Sequence, residues 1–349
     1  MKDKCIKGGN TMAKTKKKQT ESQIPSQKKE ASVWMKLWQA RYIYLLLLPM
    51  IVWLFVFHYL PTSGIILAFK KYRIGSLWSG EWIGLDNFRR LFATPQAIES
   101  IKITIVLSLQ RIIFEFFPPI ILAILLSEMR GKRLKKVYQT VFTFPHFISW
   151  VIIAGMINNL FAVKGPIDSI IQSLGGESIN FLSDTGIFKT LIFTSANWKG
   201  MGWSSILYMA TIAGIDPTLY EAAEMDGAGR LRRIWHITLS GMKPIIALKL
   251  IMTISHLLSA GFDQIYNMRN PVVASSVQIL DAYIYDITFN ALPDYGFSTA
   301  VGLFKAVIGF ILLMIANKLS GVISGEQMYS FEKRVNTKKV LKEKKGGTK

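Results

Sequence analysis

The chain has 349 residues, half of them hydrophobic, with a mean hydropathy of +0.30 and only 18% charged, against about 25% in an average soluble domain. Lys and Arg number 42 against 22 Asp and Glu, a formal net charge of +20, yet the apolar residues stand in long blocks, which points to a membrane protein and away from nucleic acid. The single cysteine, Cys5, excludes a disulfide framework, and the four histidines, at 58, 146, 236 and 256, share no ligand spacing, so no metal site is expected.

Residues 1–41 form a basic tail with Lys14, Lys16, Lys17 and Lys18 in one run. Such a segment lacks the apolar surface to fold alone and is read as disordered. Met12, opening MAKTKKK, offers an alternative start. Tyr42 to Phe69 is 28 residues without Asp, Glu, Lys or Arg, and Val137 to Val163 is 27. Both exceed the ~20 residues that cross ~30 Å of hydrocarbon as a helix. The long basic leader and long apolar core of the first block argue against a cleaved signal peptide.

Four further blocks carry one or two charges each: 103–127 (Arg111, Glu115), 187–215 (Lys189, Lys199), 244–262 (Lys249) and 297–317 (Lys305). The expected fold is an all-α integral membrane protein with about six transmembrane helices. Their spans lie near 42–69, 103–127, 137–163, 187–215, 244–262 and 297–317, within a transmembrane domain at 42–319. Residues 320–349 form a second basic tail. On this count 29 of the 42 basic residues fall on the side holding both termini, 8 on the other and 5 within spans. Both termini are therefore expected in the cytoplasm. Trp34, Trp38, Tyr42, Trp78 and Trp82 suit an aromatic belt at the membrane surface. The sequence has no Walker A motif, nucleophile–base set or aqueous carboxylate pair, so catalysis by this chain is not expected.

The loop at 216–243 carries the most information. Asp216 is a good N-cap and Pro217 fits the first helical position. Leu219, Ala222, Ala223 and Met225 give the resulting helix an apolar, small-residue side. Gly227 or Gly229 can take the left-handed conformation that ends it. A second amphipathic stretch, Leu231 to Leu239, sets Leu231, Ile234, Trp235 and Ile237 against Arg230, Arg232 and Arg233. A helix–turn–helix lying along the membrane is expected, with a face that another protein can approach closely.

Glu221, Ala222 and Ala223, then Gly227, Ile237 and Leu239, resemble the EAA loop of binding-protein-dependent ABC importer permeases. Trp198-Lys199-Gly200, Gly202-Trp203, the GIDPTLYEAA run and FDQIYN (Phe262 to Asn267) are similar to the carbohydrate members, oligosaccharide and polysaccharide types in particular. The likeness runs from about Tyr42 to Leu319. It implies a type I (MetI-like) permease bundle in a bacterial cytoplasmic membrane, forming half of a pathway for a sugar. It also implies a coupling role for Glu221, Ala222, Ala223, Asp226, Gly227, Ile237 and Leu239. The implied partners are a cytoplasmic ATPase holding ATP and Mg, a second homologous permease subunit and an extracellular solute-binding protein. Ser240 replaces the proline that closes the family pattern, and Ser240-Gly241 is expected to end the second coupling helix with a more flexible exit.

Other polar residues admit two readings each. Arg111 and Glu115, one helical turn apart, can form an ion pair or mark a pathway. Pro118-Pro119 should kink their helix. Asn197, Trp198 and Lys199 suit a sugar-binding wall, the lysine favouring an acidic sugar, or else a paired or snorkelling lysine. Asn158, Asn159, Asp263 and Gln264 either line the outer mouth or rest at the interface. His146 and His256 are read as hydrogen-bonding neighbouring helices. The rival class is a self-sufficient channel or secondary transporter, which would need inverted repeats or an ionisable relay; neither is visible.

Overall fold

A computed structural model describes Trp38 and residues 40–72, 80–255, 257–289 and 292–324, the last six as backbone alone. The basic runs at 1–37 and 325–349, with Cys5 and Met12, lie outside the described residues, as do Trp34, Trp78 and His256. The described elements are helical, apart from one isolated antiparallel bridge between Lys70 and Trp82.

The chain divides after Ser63 into two units. In the first, α1 (Arg41–Leu54) continues through a π turn at Phe55–Tyr59 into Leu60–Thr62 and buries no residue. An apolar helix with no polar face suits a lipid surrounding.

The second unit holds α2 (Asp86–Ala93), α3 (Pro95–Ser127), α4 (Lys132–Thr143), α5 (Trp150–Leu160), α6 (Pro166–Ser173) and α7 (Thr185–Ala213). These are followed by α8 (Pro217–Met225), α9 (Arg230–Ser255), α10 (Phe262–Met268), α11 (Leu280–Phe289) and α12 (Tyr295–Ser324). The long helices α3 and α7 pack along each other at the centre, and α9 packs on α12. Ile113, Ile121, Leu125 and Phe310 face outward while Thr104, Ser108, Ser205 and Gln264 are buried. That inversion follows from a lipid solvent, which gives apolar side chains no reason to bury and leaves polar ones to find partners inside.

Three apolar clusters hold the unit. One joins Leu107, Ile153, Phe188, Ile192 and Ile265, and a second joins Leu91, Leu280, Phe297 and Val301. The third, Ile120, Ala123, Tyr208 and Met242, ties α3, α7 and α9 together beside the 216–243 loop.

Among the described residues, four helices are long and apolar enough to cross a membrane: Arg41–Phe69, Pro95–Ser127, Arg230–Ser255 and Tyr295–Lys318. Three expectations change. The third predicted span is a bent pair, Lys132–Phe147 and Trp150–Leu160, turned by 97°. Pro145 sits in the 3-10 turn Phe144–Phe147, and the Ser149 side chain caps the new helix by accepting from the Ile152 amide. The fourth, α7, has 29 residues but is rich in Ser, Thr and Gly and is not among those four. The fifth begins at Arg230, not Pro244, because no helix end forms at Ser240-Gly241. Instead a π turn at Ile234–Thr238 passes into regular helix that continues through Pro244 to Ser255. Burial of Met242, Ala247 and Ile251 outweighs the donor lost at Pro244, so the expected flexible exit is absent.

Pro118-Pro119 likewise leave α3 unbroken over 33 residues. Proline at 118 removes the donor for the Phe114 carbonyl one turn back. The Asn197 side-chain amide on α7 donates to that same carbonyl at 2.9 Å, so the helix loses a bond without leaving its acceptor unpaired.

Candidate coupling loop and membrane cavity

The 216–225 segment forms as its sequence dictates. Asp216 accepts from the Thr218 amide at 3.0 Å, with Pro217 at the first helical position. That amide, and then the Thr218 hydroxyl, hold the Asp216 carboxyl below the usual carboxylate range. Gly227 has φ 74°. Around it the Ala228 amide donates to the Ala223 carbonyl at 2.9 Å and the Gly227 amide to the Glu224 carbonyl at 3.0 Å. This is a Schellman end, which closes the last carbonyls of α8 and requires the left-handed residue.

Side-chain ties fix α8 against α9. Tyr220 and Thr238 hydroxyls lie 3.0 Å apart and Arg233 donates to Glu224 at 3.0 Å. Arg230 reaches across to the end of α3, donating to the Glu128 carboxylate at 2.5 Å and to its carbonyl at 3.0 Å. The corner is therefore tied to the end of α3. Its outer surface is apolar and open: Met225 is 89% exposed, Leu231 82% and Trp235 67%.

The loop residues predicted from the sequence separate into two groups. Glu221, Ala222, Asp226 and Gly227 are exposed, and Ala223 is half-buried under the helix end. Leu239 packs on the cluster of Ile120, Tyr208 and Met242, so it anchors the loop to the bundle, and Ile237 is half-buried.

The residues expected near a pathway scatter. Asn158 and Asn159 are exposed at the end of α5, and Trp198 is exposed on α7. Lys199 is engaged: its ammonium donates to the His146 carbonyl at 2.7 Å and to that of Ile148. Those carbonyls flank the break between α4 and α5, where regular helical partners are missing, so Lys199 and Asn197 both serve backbone acceptors. His146 stacks on Trp203, with centroids 4.6 Å apart, instead of using its ring to bond a helix.

Arg111 and Gln264 do come together. Arg111 donates to the Gln264 side-chain oxygen, whose amide donates to the Ile192 carbonyl at 2.7 Å and to Ser195 Oγ at 2.9 Å. Arg111 Nη1 lies 3.6 Å from Glu115 Oε1, close enough for charge attraction but too far for a good hydrogen bond. Gly261, with φ 78°, brings its backbone against the Arg111 guanidinium, which a Cβ there would have to displace.

A cavity of about 380 Å³ opens beside this pair, lined by α3, α7, α9 and the 257–261 turn. A second, of about 300 Å³, shares Arg111, Ser259 and Gly261 and adds Trp150, Asp263 and Gln264. Asp281 borders the second cavity and pairs with Lys305 at 2.5 Å. In the sequence Lys249 and Lys305 stand out only as charges inside apolar blocks, a signal that assigns neither to a site.

Residues 119–321 match the family described as binding-protein-dependent transport system inner membrane component. Two Bacillus subtilis (strain 168) proteins are similar along most of their length. The polygalacturonan/rhamnogalacturonan transport system permease protein YteP is 40% identical over 89% of this chain and 100% of its own. Protein LplB is 41% identical over 83% and 91%. A crystal structure of a bacterial ABC transporter involved in import of the acidic polysaccharide alginate superposes with a TM-score of 0.77 at 34% identity, covering 83% of this chain and 98% of the other. Another, of the alginate transporter in complex with an alginate pentasaccharide-bound periplasmic protein, gives 0.78 at 33% identity, covering 85% and 99%.

Proposed function

This chain belongs to the binding-protein-dependent transport system inner membrane components, as a permease subunit of an ABC importer, and from that premise we propose that its 216–239 corner docks a separate ATPase while its bundle passes an oligosaccharide. The ATPase holds ATP and Mg. A second permease subunit completes the pathway, and a binding protein delivers the sugar from outside. The substrate class follows the relatives, whose names give polygalacturonan, rhamnogalacturonan and alginate.

One observation carries the docking reading: a short helix with a Schellman end is tied by side chains to α9, which is itself tied to the end of α3, and Met225 on the first helix with Leu231 and Trp235 at the start of the second are exposed. Unpartnered apolar side chains around a small-residue surface suit close approach by another protein. Glu221 stands on that surface with no ion pair among the described residues. ATP-driven closure of the ATPase pair would swing the two docked corners and rock the bundles between inward-open and outward-open arrangements.

The test is recovery of the ATPase from detergent with the tagged chain, as wild type and as Glu221→Lys, at low and high salt. Stoichiometric recovery with wild type and reduced recovery with the variant supports the assignment. Equal recovery at both salt concentrations would make Glu221 an ordinary surface residue. Loss of the ATPase from well-folded wild type would overturn the docking role of the corner.

A further inference from the structure

Three charged residues line the 380 Å³ cavity, Arg111, Glu115 and Lys249, and one is unbalanced. Arg111 has Glu115 at 3.6 Å, whereas the Lys249 ammonium, which lines the same 380 Å³ cavity, has no hydrogen bond or ion pair among the described residues. Within the membrane an unpaired charge is costly and marks a functional position. The wall around it is under-satisfied as well: Ser108 Oγ, Arg111 Nε and Glu115 Oε1 are buried without a hydrogen-bond partner, and Thr253 and Ser259 add hydroxyls to the lining. The cavity volume lies within the ~300–1,000 Å³ of small-molecule sites. One net positive charge, several unfilled donors and acceptors and the aromatic ring of Tyr208 together match a sugar ring carrying one carboxylate.

We propose that Lys249 is the specificity-determining residue that receives the carboxylate of a uronic-acid unit during passage, with Glu115, Ser108 and Ser259 taking the ring hydroxyls. The inference rests on the oligosaccharide-importer reading and adds the charge of the sugar and the residue that reads it. Lys199, another lysine within the bundle, is already committed to the carbonyls of His146 and Ile148. Lys305 is committed to Asp281 at 2.5 Å. A carboxylate entering the 380 Å³ cavity therefore meets Lys249 as its free cation. The charge-neutral Arg111–Glu115 pair next to it supplies hydrogen bonds without a second net charge, so the site suits a single uronate at a time. A chain of uronates would then step past one unit after another.

The test uses the complete importer in proteoliposomes, loaded from its own binding protein, with trigalacturonate, its fully methyl-esterified form and neutral galactotriose as probes. Wild type, Lys249→Met and Lys249→Arg are compared, with recovered ATPase subunit as the control for assembly. The expected result is a loss of trigalacturonate uptake of at least ~10-fold in Lys249→Met, equal to about 1.4 kcal/mol, with recovery to within about 3-fold in Lys249→Arg. Uptake of whichever uncharged probes wild type carries should change by less than about 2-fold, because a shape effect would strike acid and ester alike.

Unchanged acid uptake in Lys249→Met, or equal losses for acid and uncharged probes without rescue by arginine, would overturn the assignment. Wild-type import of galactotriose without trigalacturonate would overturn it too, while leaving the importer reading in place. Import of no oligosaccharide at all by an assembled, ATP-hydrolysing wild type would instead overturn the sugar reading on which it rests.

Discussion

The helix end at Gly227 offers the sharpest quantitative test of the coupling corner. Its φ of 74° costs an L-residue roughly 1–2 kcal/mol, and a β-branched one more, because its Cβ substituents meet the neighbouring backbone. A Cβ built at this position has no other heavy atom within 4 Å, so the cost is backbone strain alone and not collision. The strained chain can relax only by giving up the Ala228–Ala223 and Gly227–Glu224 bonds, which frays the end of α8 and moves the exposed Met225. If docking needs the intact end, apparent affinity for the ATPase falls with the competent fraction, by up to ~5–30-fold for ~1–2 kcal/mol. Asparagine, which tolerates the left-handed region, should bind nearly as wild type, alanine more weakly, and valine weakest of the series. Gly229 has φ −65°, a conformation open to any residue, so Gly229→Ala serves as the matched control. The assay is titration of purified ATPase against the chain in nanodiscs. Wild-type affinity for Gly227→Val, or equal weakening by Gly229→Ala and Gly227→Ala, would refute the argument.

Three further outcomes follow from the same geometry. Lys199→Met strips the donor from the His146 and Ile148 carbonyls and should destabilise the bent pair by about 2 kcal/mol, read as a lower thermal midpoint in detergent; no change would mean that other groups already satisfy the break. Asp168 is buried and accepts from the amides of Lys164 and Ile179 and from Gln172 and Ser178; these bonds, the Lys164 amide foremost, hold its carboxyl below the usual range. Its stabilising effect is thus fully present above the ordinary carboxylate value of ~3.9 and is lost as pH falls through the depressed one. Hydrogen exchange at Lys164 and Ile179 should accordingly show protection that is flat from neutral pH downward and fails only below about pH 4; loss already at pH 6 would contradict this. Arg230→Met breaks an exposed pair with Glu128 worth at most ~1 kcal/mol in stability, yet it should lower uptake per ATP hydrolysed, with partial recovery when Arg230→Glu is combined with Glu128→Arg; unaltered coupling would show that the tie transmits nothing.

Signals that reside in a few adjacent residues were legible in the sequence. Asp216-Pro217 and Gly227 specify both ends of α8 through capping and a left-handed turn, and each does so in the structure. Apolar block length picked out the four helices that are long and apolar enough to cross a membrane among the described residues, because lipid imposes a minimum span. The break at 148–149 was written in Pro145 and Ser149 but is hidden by counting apolar residues, which registers polarity and not direction. Asn197 and Lys199 were misleading for a different reason. Their partners lie 83, 53 and 51 residues away, and a polar side chain patching a distant carbonyl looks, in sequence, the same as one awaiting a ligand. Lys249 carried the opposite ambiguity: only the folded bundle reveals that it forms no ion pair among the described residues.

The unbroken course of α9 joins the two halves of the site. Had Ser240-Gly241 ended the helix, the docking corner and the cavity would be linked by a loop, and a displacement at Met225 would dissipate there. Helix instead runs from Arg230, beside the corner, to Lys249 on the cavity wall, a distance of ~28 Å at 1.5 Å per residue. A rigid rod of that length transmits tilt, and its far end stops at Ser255, where the 257–261 turn begins. That turn lines the 380 Å³ cavity, and its Gly261 rests against Arg111. Tilting α9 from its Arg230 end would therefore move Lys249 relative to Arg111 and Glu115 on α3, altering the spacing of the groups that face the cavity. The π turn at Ile234–Thr238 sets the rotation at which the rod leaves the corner. Tyr220 fixes that rotation through its bond to Thr238. Ser240 in place of proline thus keeps a backbone donor in this stretch, and under the proposed docking role the continuity would make the corner a lever on the cavity.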